Sequence, residues 1–290
     1  MRFAFKTSPQ NTTWEEMLPI WKCADDIDVF ESGWTFGHFY PSFADSTGPC
    51  LEGWITVTAL AQATRRLRVG VLVTGIHYRH PAVLASMAST LDIVSGGRLE
   101  LGIGAGWHEE ESGAYGIELG NLKDRSDRFD EACEVITDLL TNELTTFDGT
   151  YYHLKDARNE LKGPQRPHPP ICIGGSGERR TLKSAAKYAD HWNYVGGSPQ
   201  KFARKRDVLA AHCAAIGRDP KELTLSAHVR VGEDCDYAKA IAAAAALGEE
   251  GLDLAIMYLP PHYDASALDS LADAVRESGL LRGDNRRTSR

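Results

Sequence analysis

Apolar and polar residues fall into two kinds of segment along the chain: short runs rich in β-forming residues, and longer stretches with helical spacing. Residues 67–74 form a nearly continuous apolar run, as in a strand buried on both faces. Residues 51–64 place apolar side chains every three to four positions, as in a helix packed on one side. The complete pattern predicts eight strands in alternation with eight helices. The predicted strands cover residues 2–6, 28–31, 67–74, 99–104, 171–173, 192–195, 223–231 and 252–258, and the predicted helices cover residues 14–26, 51–64, 81–95, 125–140, 179–189, 199–216, 237–247 and 266–278.

This alternation predicts the fold class. Strands that alternate with helices form parallel sheet through right-handed crossovers, and eight such units fit a closed barrel. We therefore predict a single α/β domain over residues 1–280, a (β/α)8 TIM barrel with an insertion after strand 4 (106–124) and an irregular segment before strand 5 (145–165). A Rossmann-like open sheet is the alternative topology. The polar, basic residues 281–290 are expected to form a disordered tail.

Charge and cysteine content narrow the function classes. The net charge of −8 argues against general nucleic-acid binding, which needs clustered cations. No apolar run reaches the length of a membrane span, and the amino-terminal residues lack the pattern of a signal peptide. The six cysteines are scattered and form no CxxC pair, which favours a reducing compartment and no zinc ribbon. We expect a cytoplasmic protein without a membrane partner.

The segments that follow the predicted strands concentrate the chemistry. Active sites of such barrels lie at the carboxyl ends of the strands. Here these segments are rich in aromatic residues, glycines and histidines: residues 32–41, 74–81, 104–111, 174–177 and 196–197. A flat ring system needs apolar walls and close backbone approach, and glycine permits the second. The sequence therefore predicts a pocket for a planar cofactor and a small-molecule substrate.

The same segments carry a family resemblance. The sequence Arg79-His80-Pro81, followed by the continuous stretch from Leu91 to Trp107, resembles the luciferase-like monooxygenase superfamily and, within it, the branch that depends on coenzyme F420. Later pieces agree in order, namely Phe147-Asp148-Gly149 before Tyr152, residues 167–177 and residues 186–190. The resemblance covers residues 2–260. It implies an F420-dependent oxidoreductase that exchanges a hydride with a small, apolar or aromatic substrate, and a homodimer.

Three other functions stay open beside this one. A reduced-FMN monooxygenase of the same superfamily would activate oxygen instead of moving a hydride. A cofactor-binding accessory protein without turnover is the second alternative, and a metal-dependent barrel hydrolase is the third. The hypothesis of a metal-dependent hydrolase is disfavoured because the spacing of His77, His80 and His108 does not match known zinc motifs.

The resemblance and the residue chemistry together give candidate site residues. His38 matches a histidine that the family links to proton transfer, and Glu109 matches an acidic position; both are candidate catalytic residues. The family implies a cis peptide bond near Leu72-Val73, and residues 174–177 precede a helix whose amino-terminal end can bind a phosphate. The candidate cofactor-binding residues are His38, Leu72, Val73, Thr74, Ala105, Gly106, Trp107, Gly174, Gly175, Ser176, Gly177 and Val195. The candidate substrate pocket comprises Trp34, Phe36, Trp107 and Tyr258.

Four features qualify these assignments. The family usually has Asp before the histidine, whereas this chain has Gly37, which removes a possible carboxylate partner. Trp107 replaces an acidic residue of the sugar-phosphate dehydrogenases, which argues against that substrate class. Glu111 is expected to have a structural role, either an ion pair with Arg125 or Arg128 or the capping of the loop after strand 4. The basic residues Lys201, Arg204, Lys205 and Arg206 form either a site for the oligoglutamate tail of F420 or a solvated helix face.

Overall fold

Eight parallel strands form a closed barrel in the computed structural model, which describes residues 1–42 and 45–281. Each barrel strand pairs with the next one along the chain and the eighth pairs with the first, so the ring is closed. The predicted (β/α)8 barrel is therefore confirmed, and the open-sheet alternative is excluded. The barrel strands are β1 (Arg2–Lys6), β2 (Phe30–Thr35), β3 (Arg68–Val71) with its extension β4 (Thr74–Gly75), β5 (Leu99–Gly104), β8 (Ile171–Gly174), β9 (His191–Tyr194), β10 (Thr224–Arg230) and β11 (Leu254–Tyr258).

Helices connect consecutive barrel strands and pack around the ring. Many begin at a capping side chain; Thr13 and Glu16, for example, form a reciprocal capping box at the start of the first helix. The helices are α1 (Trp14–Asp26), α2 (Gly53–Ala63), α3 (Pro81–Val94), α4 (Glu109–Ala114), α5 (Leu122–Thr141), α6 (Thr181–Tyr188), α7 (Pro199–Ala215), α8 (Tyr237–Glu249) and α9 (Ala265–Glu277). No helix in the described part of the chain is both long and apolar enough to cross a bilayer.

The second and third strands differ from the predicted segments. β2 begins later and runs further than residues 28–31, because Gly33 and Trp34 pair in register with β3 instead of forming a loop. The third strand is interrupted: β3 pairs with β2 and β5, β4 pairs with β5, and the Leu72-Val73 peptide bond between them is cis, as the family resemblance implies.

Two connections contain structure that the sequence did not predict. The polar insertion after the fourth barrel strand folds into the short helix α4, and α5 begins three residues earlier than predicted. The segment that was expected to be irregular contains an antiparallel hairpin of β6 (Thr145–Asp148) and β7 (His153–Ala157). Residues 282–290 of the predicted tail lie outside the described residues.

The barrel interior holds a cluster of buried polar side chains. His191 Nδ1 lies 3.1 Å from Glu100 Oε2, and His191 Nε2 lies 2.6 Å from Ser226 Oγ. Although burial opposes ionisation of Glu100, hydrogen bonds and charge from His191 and Arg68 lower its pKa to about 2. The Trp34 ring packs edge-to-face on His191, with no exposed surface. These contacts fill the barrel interior, so the region open to a ligand is the carboxyl end of the strands.

Candidate active site

A cavity of about 440 Å³ lies at the carboxyl ends of the barrel strands, which is the size range of small-molecule sites. It brings together most of the predicted site residues. The predicted cofactor residues that line it are Leu72, Val73, Ala105, Gly106, Gly174 and Gly175. His38, Trp107, Val195, Phe36 and Tyr258 line it as well.

Five predicted residues do not line this cavity. Trp34 points into the barrel interior, because β2 extends to Thr35 and its alternation turns this side chain inward; its placement in the substrate pocket was wrong. Thr74 is buried and its hydroxyl accepts a hydrogen bond from Trp54 Nε1 at 2.7 Å. Glu109 is exposed at the start of α4, and Ser176 and Gly177 lie beyond the lining of the cavity.

His38 is held by a carboxylate from another part of the chain. Its Nδ1 lies 2.8 Å from Glu111 Oε2, which leaves Nε2 as the ring nitrogen available to the cavity. The rings of Phe36 and Trp107 pack edge-to-face on the imidazole, at centroid distances of 5.1 Å and 5.4 Å. The His108 ring makes a third such contact, at 5.6 Å. The imidazole is therefore held by one hydrogen bond and three ring contacts, with one polar atom left for a ligand.

Glu111 is fully buried and accepts several hydrogen bonds. Besides His38, its donors are the Tyr78 hydroxyl and the backbone N–H groups of Phe39 and Tyr40, at 2.5 Å and 3.4 Å. Burial alone would raise the pKa of Glu111, but the hydrogen bonds from His38, Tyr78 and Phe39 lower it to about 2. The expected ion pair of Glu111 with Arg125 or Arg128 is wrong: the carboxylate points inward to His38, and Arg128 instead donates to the Glu118 carbonyl.

Steric crowding explains why position 37 is a glycine. A Cβ at position 37 would lie 3.0 Å from the Val73 carbonyl oxygen and 3.1 Å from Thr74 Cα, tighter than most Cβ contacts. The usual aspartate of the family has little room here. The carboxylate beside His38 comes instead from Glu111 on α4, so the absence of Asp at position 37 does not leave the histidine without an acidic partner.

Gly104, Gly174 and Val73 border one part of the cavity, the glycine slot. A Cβ on Gly104 or Gly174 would lie 2.8 Å from a Val73 methyl group, so no larger residue fits at either position without displacing Val73. Both glycines line the cavity, one at the end of β5 and one at the end of β8. Val73 fills the space on the Cβ side of both glycines, so a flat ring system in this part of the cavity would pack against Val73 and the two strand ends.

The slot continues toward the amino-terminal end of α6. Gly175 has φ +126°, a conformation that strongly favours glycine, and both it and Thr181 line the cavity. The N-cap residue of α6, Arg180, makes no side-chain hydrogen bond to the first turn. Backbone N–H groups at such a helix start can bind a phosphate, as the sequence predicted for residues 174–177.

Several polar residues of the cavity were missed by the sequence reasoning. They are Lys6, His77, Tyr78, Thr181, Asn193, His228 and Arg230. Lys6 and Arg230 end β1 and β10, so the rule that strand ends supply site residues could have found them. His228 and Asn193 could not have been found this way, because only the register of the barrel shows which strand side chains face the cavity.

The three histidines considered for metal binding have other roles. His80 and His108 cap the first turns of α3 and α4 through Nδ1. His77 Nε2 lies 3.1 Å from Ser112 Oγ, and a Cβ on Gly106 would lie 2.5 Å from the His77 ring. Within residues 1–42 and 45–281, no group of three or more His, Cys, Asp or Glu residues is arranged to hold a metal ion.

The basic residues of α7 are partly neutralised. Arg204 Nε and Lys205 Nζ lie 3.0 Å and 2.9 Å from Glu178 Oε1, and Arg206 pairs with Asp207. These contacts favour a solvated helix face over a site for the oligoglutamate tail of F420. A groove of about 720 Å³ between the loop after β9 and α8 shares Val195, His228 and Arg230 with the cavity, so the cavity widens on that side.

Two of the curated proteins that this chain resembles in sequence are F420-dependent dehydrogenases. The chain is 33% identical over 225 residues to an F420-dependent hydroxymycolic acid dehydrogenase of Mycobacterium tuberculosis, covering 73% of this chain and 58% of the relative. It is 29% identical over 244 residues to an F420-dependent glucose-6-phosphate dehydrogenase of Microbacterium testaceum, covering 83% and 71%. The chain thus spans somewhat more than half the length of the first relative.

A solved structure and a family model agree with the fold. The structure of an F420-dependent secondary alcohol dehydrogenase in complex with an F420-acetone adduct superposes with a TM-score of 0.81 at 19% identity, covering 96% of this chain and 99% of that one. At this identity the likeness supports the fold. The model of the luciferase-like monooxygenase family matches residues 2–287, which is nearly the whole chain. This protein therefore belongs to the luciferase-like monooxygenase family.

Proposed function

We propose that this protein is an F420-dependent oxidoreductase that exchanges a hydride between the deazaflavin and a small organic substrate. The observation that carries the proposal is the juxtaposition, in one cavity, of the glycine slot beside Val73 and the His38–Glu111 pair. The glycine slot would hold a flat redox ring, and the His38–Glu111 pair would transfer a proton. The F420 dependence named for both sequence relatives supports the choice of cofactor.

The residues of the slot fit the cofactor. Val73, Gly104 and Gly174 would hold the ring system, and Gly175 with the first turn of α6 would hold the phosphate of the side chain. When bound, the deazaflavin supplies two-electron hydride exchange, because carbon replaces the reactive nitrogen of a flavin. The protein supplies binding, orientation and proton transfer.

His38 would handle the proton of the reaction. In the reductive direction the substrate carbon gains a hydride and His38 Nε2 gives a proton to the developing oxyanion or carbanion; in the oxidative direction the imidazole takes the proton of an alcohol. Glu111 binds Nδ1, fixes the tautomer and stabilises the protonated imidazole. Glu111, which is buried and bonded to His38, fits this positioning role better than the exposed Glu109.

The substrate would meet aromatic walls. Phe36, Trp107 and Tyr258 line the cavity, and no Asp or Glu is among its lining residues in the described part of the chain. Such a pocket favours an apolar or aromatic compound over a sugar held by acidic hydrogen-bond acceptors. Trp107 is half exposed at the mouth, which makes it the wall most open to an incoming substrate.

Parallel titrations with oxidised F420 and with FMN, followed by fluorescence, test the cofactor assignment. We expect saturable binding of F420 and much weaker binding of FMN. Reduced F420 should then be oxidised by members of a panel of apolar ketones, enones and nitroaromatic compounds without consumption of oxygen. Preference for reduced FMN with oxygen uptake would instead establish a monooxygenase, and tight F420 binding without turnover over the panel would establish an accessory protein.

A further inference from the structure

Lys6 is a buried cation that the proposed reaction does not use. It is the last residue of β1 and only 4% exposed, and it lines the cavity. Its Nζ donates one hydrogen bond, to the Leu72 carbonyl at 2.8 Å, and lies 4.9 Å from the centroid of the Tyr258 ring. An ammonium group has three donors. Among the described residues, the Leu72 carbonyl is the one group that accepts a hydrogen bond from the Lys6 ammonium group, so two of its N–H donors remain for a ligand.

The surroundings of Lys6 carry positive rather than negative charge. Arg230 lies over the same Tyr258 ring, at 5.2 Å from its centroid, and His228 lines the cavity with a buried Nε2 that has no hydrogen-bond partner in the described residues. Cys172 faces Lys6 from β8. Burial, and then repulsion by Arg230, lower the pKa of Lys6 to about 7. A buried ammonium group without a carboxylate nearby is costly, and a negatively charged ligand would relieve that cost.

The position of Lys6 relates it to the slot for the ring. Its hydrogen bond ties it to Leu72, directly before Val73, whose methyl groups border the glycine slot. Because Lys6 is almost inaccessible to solvent, its ammonium group lies at the inner side of the cavity, away from the exposed Trp107. A ligand that fills the slot would therefore bring its ring, rather than its solvent-exposed arm, nearest to Lys6.

We propose that Lys6 is the counter-ion of the cofactor ring, a role that rests on the proposed F420 dependence. The 8-hydroxy-5-deazaflavin ring carries an acidic phenol that is conjugated with its pyrimidine. The negative charge of the ionised ring is shared between the phenolic oxygen and the pyrimidine carbonyl edge, so either edge presents negative charge to the ammonium group. Lys6 thereby favours the ionised ring over the neutral one and contributes to the preference for this cofactor.

The test follows the absorption spectrum of bound F420 as a function of pH, with no substrate present. Opposite charges at close range shift an ionisation by about one to three pH units. We expect the phenol of the ring to ionise at least about one pH unit lower when bound to the wild-type protein than when free. Lys6→Met should abolish this shift and weaken F420 binding at pH 6.5 by about tenfold or more, whereas Lys6→Arg should retain part of the shift.

Lys221→Met is the matched control, because Lys221 is exposed before the start of β10, at the opposite end of the barrel, and should leave both values unchanged. Thermal unfolding shows whether Lys6→Met is folded, and the shift in the wild-type protein alone is informative if it is not. An unshifted ring in the wild-type protein, or an unchanged shift and affinity in folded Lys6→Met, overturns the role of Lys6 and leaves the F420 assignment standing. Absence of F420 binding to the wild-type protein overturns the proposed function itself.

Discussion

The carboxylate of Glu111 lies 2.8 Å from His38 Nδ1, although the two residues are 73 positions apart in the chain. The contact joins the loop after β2 to the helix α4 in the insertion after β5. It gives the histidine an acidic partner at a place where the preceding residue, Gly37, cannot provide one. This pair is the basis of the first two predictions.

Replacing Glu111 by Gln should impair catalysis through His38. The amide keeps the shape of the side chain but loses the charge that stabilises the protonated imidazole, so kcat should fall by about 10- to 100-fold. The pH–rate profile should also shift to lower pH, which a purely structural defect would not cause. Glu110→Gln, at an exposed position of the same helix, is the control. An unchanged profile in Glu111→Gln would contradict the positioning role.

Replacing His38 by Asn should separate proton transfer from cofactor binding. We expect kcat to fall by roughly 10²- to 10⁴-fold, the usual contribution of a general acid or base. The dissociation constant for F420 should change by less than about threefold, because the glycine slot and the first turn of α6 are intact. Steady-state kinetics and fluorescence titration measure the two effects. Retention of wild-type kcat would remove His38 from the mechanism.

Gly174→Ala tests the slot for the ring. The added Cβ would lie 2.8 Å from Val73 Cγ1, so Val73, which lines the cavity, must shift and alter the surface against which the ring would pack. F420 affinity should fall by about tenfold or more. Gly113→Ala is the control: its Cβ meets nothing within 4 Å, and alanine in helix α4 should stabilise the protein by about 0.5–1 kcal/mol. Equal F420 affinity in the two folded variants would argue against this location.

The ligand-free protein should lose stability in weak acid because of His77. Burial lowers the pKa of His77 from 6.5 to about 4. Between these values the unfolded chain binds more protons than the native state, so the free energy of unfolding falls as the pH falls from 6.5 to 4. The contribution is on the order of 1–2 kcal/mol after allowance for the partial exposure of the ring.

Urea unfolding of the wild type and of His77→Gln at several pH values measures this contribution. The difference in unfolding free energy between the two proteins should be constant above pH 6.5 and should shift in favour of the variant as the pH falls toward 4. A difference that is independent of pH over this range would show that His77 titrates normally.

The sequence was sufficient for the barrel and for the position of His38, because both follow from local patterns. The alternation of strands and helices leads to the closed ring, and the histidine follows a strand end. Trp34 was misplaced because Ser32 and Gly33 look like a turn, whereas the pairing of β2 with β3 extends the strand through Thr35. Strand register, which depends on the neighbouring strand, is not contained in the local pattern.

The contact between Glu111 and His38 also could not be predicted from local sequence patterns. Three consecutive glutamates, Glu109 to Glu111, look alike in the sequence, and only the fold of α4 buries the third while it exposes the other two. Lys6 was overlooked for a related reason. A lysine at the end of a short strand usually extends to solvent, and its burial follows from the closure of the barrel by β11 on one side and β2 on the other.

Because Glu111 lies on α4, the proposed ring-binding residues and the proposed proton-transfer residues come from different parts of the molecule. In the proposed function, strand ends of the barrel would hold the ring, whereas an inserted helix outside the barrel would provide the carboxylate that supports proton transfer. Insertions can vary in length and sequence without disturbing the strands that they connect. A barrel of this design can thus acquire new acid–base chemistry by exchange of one short surface segment while its redox partner stays the same.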